Sequence, residues 1–229
     1  MADRLQDRSS GGPLLTYVAL GSTVLFAILT VMVIARQTNA FDHDMILSLR
    51  AGARPWLTTM MLAITFVSGR LAVPAVIIFA IALYYRSGVR ASSYYLGACL
   101  AAQLLNVIIK YGVERPRPHN VSPHLTAAGG MAYPSADAML AVVVFGLGTY
   151  MVTETIRPQA MCRVALALSA AFIVLAAIAR VYLGAHWPTD VVGGVLAGVA
   201  CATFCITALR RPPEMPIPVS AASAALVAR

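Results

Sequence analysis

The sequence consists largely of long apolar blocks that are separated by short polar segments. Of its 229 residues, 59% are hydrophobic and only 11% are charged, whereas about a quarter of the residues in an ordinary soluble domain are charged. Apolar blocks of about 20 residues are long enough to cross a bilayer as helices, which satisfy their own backbone hydrogen bonds. The sequence therefore predicts an all-α, polytopic membrane helix bundle and excludes a soluble enzyme.

Six apolar blocks are predicted to be transmembrane helices. Residues 36–54 are polar and are predicted to be irregular, and the apolar residues 56–67 are predicted to form an additional helix lying in the membrane interface. Residues 1–211 are expected to form a single six-span domain, and the proline-rich residues 212–229 a disordered cytoplasmic tail. The six predicted spans are residues 14–35, 71–85, 92–109, 135–153, 162–179 and 188–209.

The positive charge of the chain does not indicate a nucleic-acid partner. The formal net charge is +8, but the 17 basic residues include a single lysine, Lys110, and are scattered through short loops. A nucleic-acid-binding protein gathers its basic residues on one face or stripe. We therefore expect the bilayer, and no nucleic acid, as the partner of this chain.

Three polar clusters stand at the mouths of different predicted spans, on one side of the membrane. Ionisable residues are costly at the membrane, so a converging set of them indicates a functional site. Lys110, Arg117 and Arg180 are cationic donors that suit a phosphate group. Ser135 and the backbone N–H groups at the start of the fourth span add neutral donors, because a helix N-terminus favours an anion. The clusters are residues 110–118, 133–137 and 180–190.

His186 and Asp190 are four residues apart, a spacing that brings two side chains together on a helical turn. The Asp190 carboxylate can then accept a hydrogen bond from one ring nitrogen and leave the other free as an oriented nucleophile. A phosphate group held by three cations and attacked by His186 is a complete reaction scheme, so neither a metal nor a cofactor is predicted. By contrast, His43 and its neighbours Asp42 and Asp44 are predicted to be a solvated loop.

Arginines near the span ends predict the orientation. One side collects Arg4, Arg8, Arg86, Arg90, Arg157, Arg163, Arg210 and Arg211. The other side carries as many basic residues, but four of them, Lys110, Arg115, Arg117 and Arg180, are attributed to the candidate site. Because basic residues favour the cytoplasmic side, we expect both termini in the cytoplasm. The site then faces the periplasmic or external side of the cell inner (plasma) membrane.

The polar clusters resemble the motifs of a known family, the type-2 phosphatidic acid phosphatases, which share their site with the vanadium haloperoxidases. The family pattern is Lys-x6-Arg-Pro, then Pro-Ser-Gly-His, then Ser-Arg-x5-His-x3-Asp. Its first and third parts are matched by Lys110-x6-Arg117-Pro118 and Arg180-x5-His186-x3-Asp190. In the third part Ala179 replaces the serine.

The resemblance implies a role for each matched residue. Lys110, Arg117 and Arg180 would bind phosphate, His186 would form a phosphohistidine, and Asp190 would orient that histidine. It also implies a metal-independent enzyme that acts on lipid phosphates or diphosphates.

The second motif departs from the family, because residues 134–137 read Pro-Ser-Ala-Asp where the family has Pro-Ser-Gly-His. The family histidine is the general acid that protonates the leaving group. Three explanations stay open: Asp137 is itself the acid, kept protonated by its surroundings; the leaving group is a phosphate, which needs a proton far less than an alkoxide does; or His119 or His124 is the acid. A non-catalytic alternative makes Asp137 the N-cap of the fourth span.

The leading hypothesis is an integral membrane phosphatase that releases phosphate from a lipid monophosphate or diphosphate through a phosphohistidine. One alternative is a phosphotransferase that passes the phosphate to a lipid or sugar acceptor. An alternative of another class is a non-catalytic relative that binds phospholipid head groups. A homo-oligomer is left open, because Gly194-x3-Gly198 is read as a close-packing face between helices that need not mark a dimer.

Overall fold

The computed structural model describes residues 2–118, 130–156 and 158–210, with side chains from residue 13 onward. Across these ranges the chain is helical and contains no strand, in agreement with the all-α prediction. The predicted tail at residues 212–229 lies outside the described residues, as do His119 and His124. The helices are α1 (Ala2–Ile34), α2 (Asn39–Ala51), α3 (Pro55–Gly69), α4 (Ala72–Val113), α5 (Ala136–Thr153), α6 (Gln159–Tyr182) and α7 (Pro188–Arg210).

The long helix α4 folds back on itself at Gly88. This residue has φ 82° and ψ 177°, a backbone conformation that glycine adopts without steric cost. Beyond it, the Ser92 hydroxyl donates to the Ala80 carbonyl at 3.0 Å, although residues twelve apart in a straight helix lie about 18 Å from each other. The two arms of α4 therefore run side by side, and they contain the residues of the second and third predicted spans.

The outer surface of the bundle has the character of a lipid-facing surface. Among the described residues, five helices are long and apolar enough to cross a membrane. Large apolar side chains on them point outward, and contiguous apolar surface of this kind is typical of contact with lipid or with other apolar partners. Examples are Tyr17, Ile78, Ile108 and Leu168, each about two-thirds exposed or more. The protein is thus a multi-pass membrane protein.

The prediction that residues 36–54 are irregular is wrong, because most of this segment is the helix α2. Its buried residues, Asp42 and Ile46, are four apart and so share one helical face. Ile46 packs against Ala138, Val181 and Val191 of three other helices. The segment is polar in composition because its opposite face is exposed, which hides the helical pattern. α3 is helical, as predicted for residues 56–67.

Glycines of α7 allow the start of α5 to approach it closely. A Cβ atom at Gly194 would lie 2.4 Å from the Ser135 carbonyl oxygen, and one at Gly198 would lie 2.8 Å from that of Met139. The predicted close-packing face is thus occupied within the chain itself. This contact brings the beginning of α5 beside the beginning of α7, where the candidate site residues lie.

Candidate active site

The structure brings the candidate residues together at one end of the bundle. Four helix ends and two connecting segments supply them, and their charged groups are close enough to interact electrostatically. Helix ends suit this purpose, because they stop at the membrane surface and leave backbone groups free to meet a ligand. The residues are Lys110 at the end of α4, Arg117 beyond it, Ser135 and Asp137 at the start of α5, Arg180 at the end of α6, His186 in the next turn, and Asp190 at the start of α7.

Two neighbours fix the tautomer of His186, whose side chain is buried. Nδ1 lies 2.9 Å from the carbonyl oxygen of Ala132, and Nε2 lies 3.3 Å from Nη1 of Arg117. A carbonyl only accepts and a guanidinium only donates. Nδ1 therefore carries the proton, and Nε2 presents its lone pair towards Arg117. This is the arrangement that a nucleophilic histidine requires.

The environment of His186 also keeps its ring neutral. Burial lowers the pKa of His186 below its usual value, and the nearby Arg180 and Arg117 cations act in the same direction. The nearby Asp190 carboxylate, 3.6 Å from Nδ1, opposes this effect. A neutral ring at neutral pH has the Nε2 lone pair available for attack.

Asp190 contacts His186 less directly than its spacing suggests. Its Oδ2 atom lies 3.6 Å from Nδ1 of His186 and accepts a hydrogen bond from the backbone N–H of Trp187 at 2.9 Å. The ring proton goes to the Ala132 carbonyl instead. Asp190 occupies the first turn of α7, where a carboxylate satisfies a free N–H at the helix start. Its influence on the ring is therefore electrostatic, at close range.

Backbone carbonyls hold two of the three cations. Arg117 donates to the carbonyl of Ala185 at 2.9 Å, and Lys110 donates to that of Met131 at 2.7 Å. The Nε atom of Arg180 is buried and has no hydrogen-bond partner within the described ranges. Arg117 and Arg180 act electrostatically on the His186 ring, and Lys110 interacts with both arginines, so the three cations form a local positive charge that suits a bound anion such as phosphate.

Asp137 is not the N-cap of α5, contrary to one reading of the sequence. The cap is Ser135, whose Oγ accepts from the backbone N–H of Ala138 at 3.4 Å. Ser135 is fully buried, and accepting this bond leaves its hydroxyl proton free to donate. Asp137 lies two residues after Ser135, inside the first turn of α5, and its Oδ2 atom accepts from Nη2 of Arg180 at 2.6 Å. The residue that replaces the family histidine is thus paired with a candidate phosphate-binding arginine.

The prediction that Asp42 lies in a solvated loop is wrong. Asp42 is completely buried and forms an ion pair with Arg115 at 2.6 Å. The other side of the Arg115 guanidinium pairs with Asp190 at 2.7 Å. A signal for this burial was the four-residue spacing between Asp42 and the apolar Ile46, which is that of a helix face.

Among the described residues, no group of three or more histidine, cysteine or acidic side chains is arranged to hold a metal ion. The cysteines Cys99, Cys162, Cys201 and Cys205 are free thiols. Metal independence remains a prediction from the family resemblance.

Comparison with known proteins identifies a family and a similar bacterial relative. A model of the PAP2 superfamily matches residues 91–213, a range that contains every candidate residue from Lys110 to Asp190. The chain is 28% identical over 180 residues to the phosphatidylglycerophosphatase B of Bacillus subtilis (strain 168). That alignment covers 76% of this chain and 88% of the relative.

Two solved structures share the fold. The first is a transmembrane PAP2-type phosphatidylglycerolphosphate phosphatase from Bacillus subtilis, with a TM-score of 0.77 and 23% identity over 83% of this chain and 94% of that one. The second is LpxE from Aquifex aeolicus, with a TM-score of 0.57 and 18% identity over 71% of this chain and 93% of that one. At these identities the likeness concerns the fold alone.

Proposed function

The chain belongs to the PAP2 superfamily, and from this premise we propose that it is a lipid phosphatase working through a phosphohistidine at His186. Its substrate is a lipid phosphate or diphosphate whose phosphate group binds among Lys110, Arg117 and Arg180. The observation that supports this most strongly is the His186 ring, whose Nε2 lone pair faces Arg117 while Nδ1 is bound to a carbonyl. The name of the Bacillus relative makes phosphatidylglycerolphosphate the first substrate to test.

In the first half-reaction, Nε2 of His186 forms a bond to phosphorus as the bond from phosphorus to the leaving oxygen breaks. The leaving oxygen takes up a proton when it is an alkoxide. The ring becomes cationic because Nδ1 keeps its proton, and the Asp190 carboxylate 3.6 Å away stabilises that charge. The cations stabilise the negative charge on the transferred phosphoryl group.

In the second half-reaction, water attacks phosphorus and the nitrogen–phosphorus bond breaks. This step releases inorganic phosphate as H2PO4⁻, which keeps the oxygen and both protons of the water, and returns the neutral histidine. No step requires a metal, because the residues around His186 supply both the nucleophile and the positive charge.

The proposal is tested with purified protein in detergent and a set of three substrates: phosphatidylglycerolphosphate, phosphatidate and a polyprenyl diphosphate. We expect release of inorganic phosphate from at least one of them, at the same rate with and without EDTA. A rate that EDTA abolishes and added Mg²⁺ or Zn²⁺ restores would refute the metal-independent mechanism. Transfer of phosphate to an added lipid or sugar alcohol, without free phosphate, would indicate a phosphotransferase. Binding without any turnover would indicate a non-catalytic relative.

We further propose that Asp137 is the general acid for substrates that expel an alkoxide. In the structure its carboxylate accepts from Nη2 of Arg180. A phosphate that binds Arg180 competes for the same guanidinium, and a carboxylate left beside an anion is favoured in its protonated form. The proton taken up in this way is then available to the leaving oxygen.

Replacing Asp137 with asparagine tests this role. General acid catalysis is worth about 10²–10⁴-fold, so we expect Asp137→Asn to lower kcat on a lipid monophosphate by at least about 10²-fold. Hydrolysis of a lipid diphosphate should change less than about 3-fold, because its leaving phosphate needs little protonation. The matched control is Asp44→Asn, an exposed aspartate on α2. An equal loss on both substrates would instead assign Asp137 to the charge balance of the site.

We also propose how often the chain crosses the membrane and which side the site faces. With each arm of α4 crossing once, the chain crosses the membrane six times and both termini are cytoplasmic, while α3 lies in the interface. The site then faces the periplasmic or external side of the inner membrane, where it meets lipids of the outer leaflet.

This topology predicts which single cysteines react with a membrane-impermeant thiol reagent in intact cells. In a variant without the native cysteines, we expect Asp44→Cys on α2 to be labelled before lysis. Arg163→Cys on α6, also exposed, should be labelled only after permeabilisation. The reverse pattern would invert the orientation and place the substrate in the inner leaflet.

A further inference from the structure

We propose that Asp42 is a positioning residue for the reaction, acting through Arg115 on Asp190 and so on His186. The inference rests on the proposed function, because it concerns the same histidine. It assigns a role in catalysis to α2, a helix that lies outside residues 91–213 and carries none of the family motifs.

Both carboxylate oxygens of Asp42 are engaged. Oδ2 accepts from Nη2 of Arg115 at 2.6 Å and from the Thr189 hydroxyl at 2.7 Å. Oδ1 accepts from the backbone N–H of Thr189 at 2.9 Å. Thr189 belongs to the first turn of α7, so Asp42 satisfies a free N–H at the positive end of that helix. The carboxylate thus holds both Arg115 and the beginning of the helix that carries Asp190.

Arg115 joins two buried carboxylates. Its Nη2 meets Asp42, and its Nη1 donates to Asp190 Oδ1 at 2.7 Å and to the Thr189 hydroxyl at 2.8 Å. The guanidinium also lies over the Trp187 ring, 5.6 Å from its centre. Because a guanidinium is a rigid plane with fixed donor directions, the bond to Asp42 determines which donor faces Asp190. Arg115 therefore presents one nitrogen, not two, to Asp190.

This arrangement leaves the second oxygen of Asp190, Oδ2, free to face the turn that carries Trp187 and His186. Oδ2 accepts from the Trp187 N–H and lies 3.6 Å from Nδ1 of His186. Without the negative charge at Asp42, Arg115 can turn and bind both oxygens of Asp190, the bidentate geometry that this pair prefers. That movement would draw Oδ2 away from the ring and weaken the stabilisation of the cationic phosphohistidine. Turnover would suffer, whereas binding of the phosphate to Lys110 and Arg117 would not.

The charge balance indicates that the Asp42→Asn variant folds. The present cluster has two carboxylates for one guanidinium, both carboxylates being completely buried. Replacing one of them with a neutral amide leaves the balanced pair of Arg115 and Asp190. The amide oxygen of asparagine can still accept from the backbone N–H of Thr189.

The experiment compares Asp42→Asn with Asp44→Asn, a matched control on the same helix whose aspartate is exposed. The full-length proteins are purified in detergent and assayed on phosphatidylglycerolphosphate, with thermal unfolding measured in parallel. We expect Asp42→Asn to lower kcat by about 10- to 100-fold, the usual range for a residue that orients a catalytic group. KM should change less than about 2-fold, since uniform substrate binding is retained. The control should keep the wild-type kcat.

A double-variant cycle shows whether the effect passes through Arg115. In an Arg115→Gln background, Asp42→Asn should lower kcat by less than about 3-fold further, because the residue it acts through is already gone. Three results would each overturn the inference. In the first, the kcat losses of Asp42→Asn and Arg115→Gln multiply fully in the double variant. In the others, Asp42→Asn leaves kcat unchanged, with or without a raised KM. An unfolded Asp42→Asn beside a folded control would also overturn it, by making Asp42 purely structural. If the wild-type protein releases no phosphate from any tested substrate, the proposed function itself fails.

Discussion

Replacing His186 with alanine is expected to abolish turnover, with a loss of about 10⁴-fold or more in kcat, as removal of a nucleophile does elsewhere. The variant lacks the Nε2 atom that is proposed to form the bond to phosphorus, and no water in the site can replace the covalent step at a comparable rate. Release of inorganic phosphate from the lipid substrate measures the loss. A substrate labelled on its phosphate should also label the wild-type chain transiently, and should leave His186→Ala unlabelled.

Phosphate binding should survive the same substitution, because the cations remain. Arg117 and Lys110 are held by the carbonyls of Ala185 and Met131, not by the imidazole alone. We therefore expect orthovanadate or phosphate to raise the unfolding temperature of His186→Ala as it does for the wild type. His43→Ala, at an exposed histidine of α2, is the control and should keep full activity. More than a few per cent of wild-type activity in His186→Ala would contradict the mechanism.

The parts of this fold that could be predicted from sequence are those with a local signal. Apolar blocks mark the helices that face lipid. The ends of these blocks mark where charged side chains reach water and no longer carry the cost of burial in the bilayer. Lys110 and Arg180 each stand in the last turn of such a helix. The spacing from His186 to Asp190 likewise belongs to one turn at the start of α7. Each of these features is contained in a short stretch of chain, so composition and spacing were sufficient to find it.

The parts that escaped prediction depend on partners far along the chain. Asp42 is buried because Arg115 and Thr189, 73 and 147 residues away, supply its hydrogen bonds. No pattern around Asp42 encodes those partners, and its polar neighbours suggested exposure. The acceptor for the His186 ring is a backbone carbonyl, that of Ala132. A backbone group has no residue type, so no sequence motif can reveal it.

The pair formed by Asp137 and Arg180 combines a local sequence signal with a contact between residues that are far apart in the chain. Two capping candidates, Ser135 and Asp137, lie just before and just inside the start of α5, and the sequence does not fix which of them is the cap. The structure gives the cap to Ser135, which turns Asp137 towards Arg180 at the end of α6. The substitution that departs from the family motif is thereby coupled to one phosphate-binding cation and not to the others. This coupling separates the expected behaviour of Arg180 from that of Arg117.

Replacing Arg117 with alanine should lower kcat by about 10²–10³-fold, the usual cost of one donor that stabilises transition-state charge. Its Nη1 lies 3.3 Å from the atom proposed to attack, so the guanidinium stands where the transferred phosphoryl group must pass. Arg117→Lys keeps the charge but loses the planar fork, so its kcat should lie between that of the wild type and that of Arg117→Ala. The control is Arg54→Ala, because the Arg54 side chain is exposed and contacts only the neighbouring Ala53 carbonyl among the contacts described.

Arg180→Ala should lower kcat as much as Arg117→Ala does, but for two reasons instead of one. It removes a donor to the phosphate, and it also leaves the Asp137 carboxylate without its 2.6 Å partner, facing the bound anion. On a lipid diphosphate, where Asp137 is not needed as an acid, adding Asp137→Asn to Arg180→Ala should therefore restore about 10-fold of the lost rate by removing the cost of protonating that carboxylate when the anion binds. The same addition to Arg117→Ala should restore nothing. Rescue of both variants, or of neither, would mean that Asp137 and Arg180 do not act as a pair during turnover, and near-normal rates in both alanine variants would place the phosphate elsewhere.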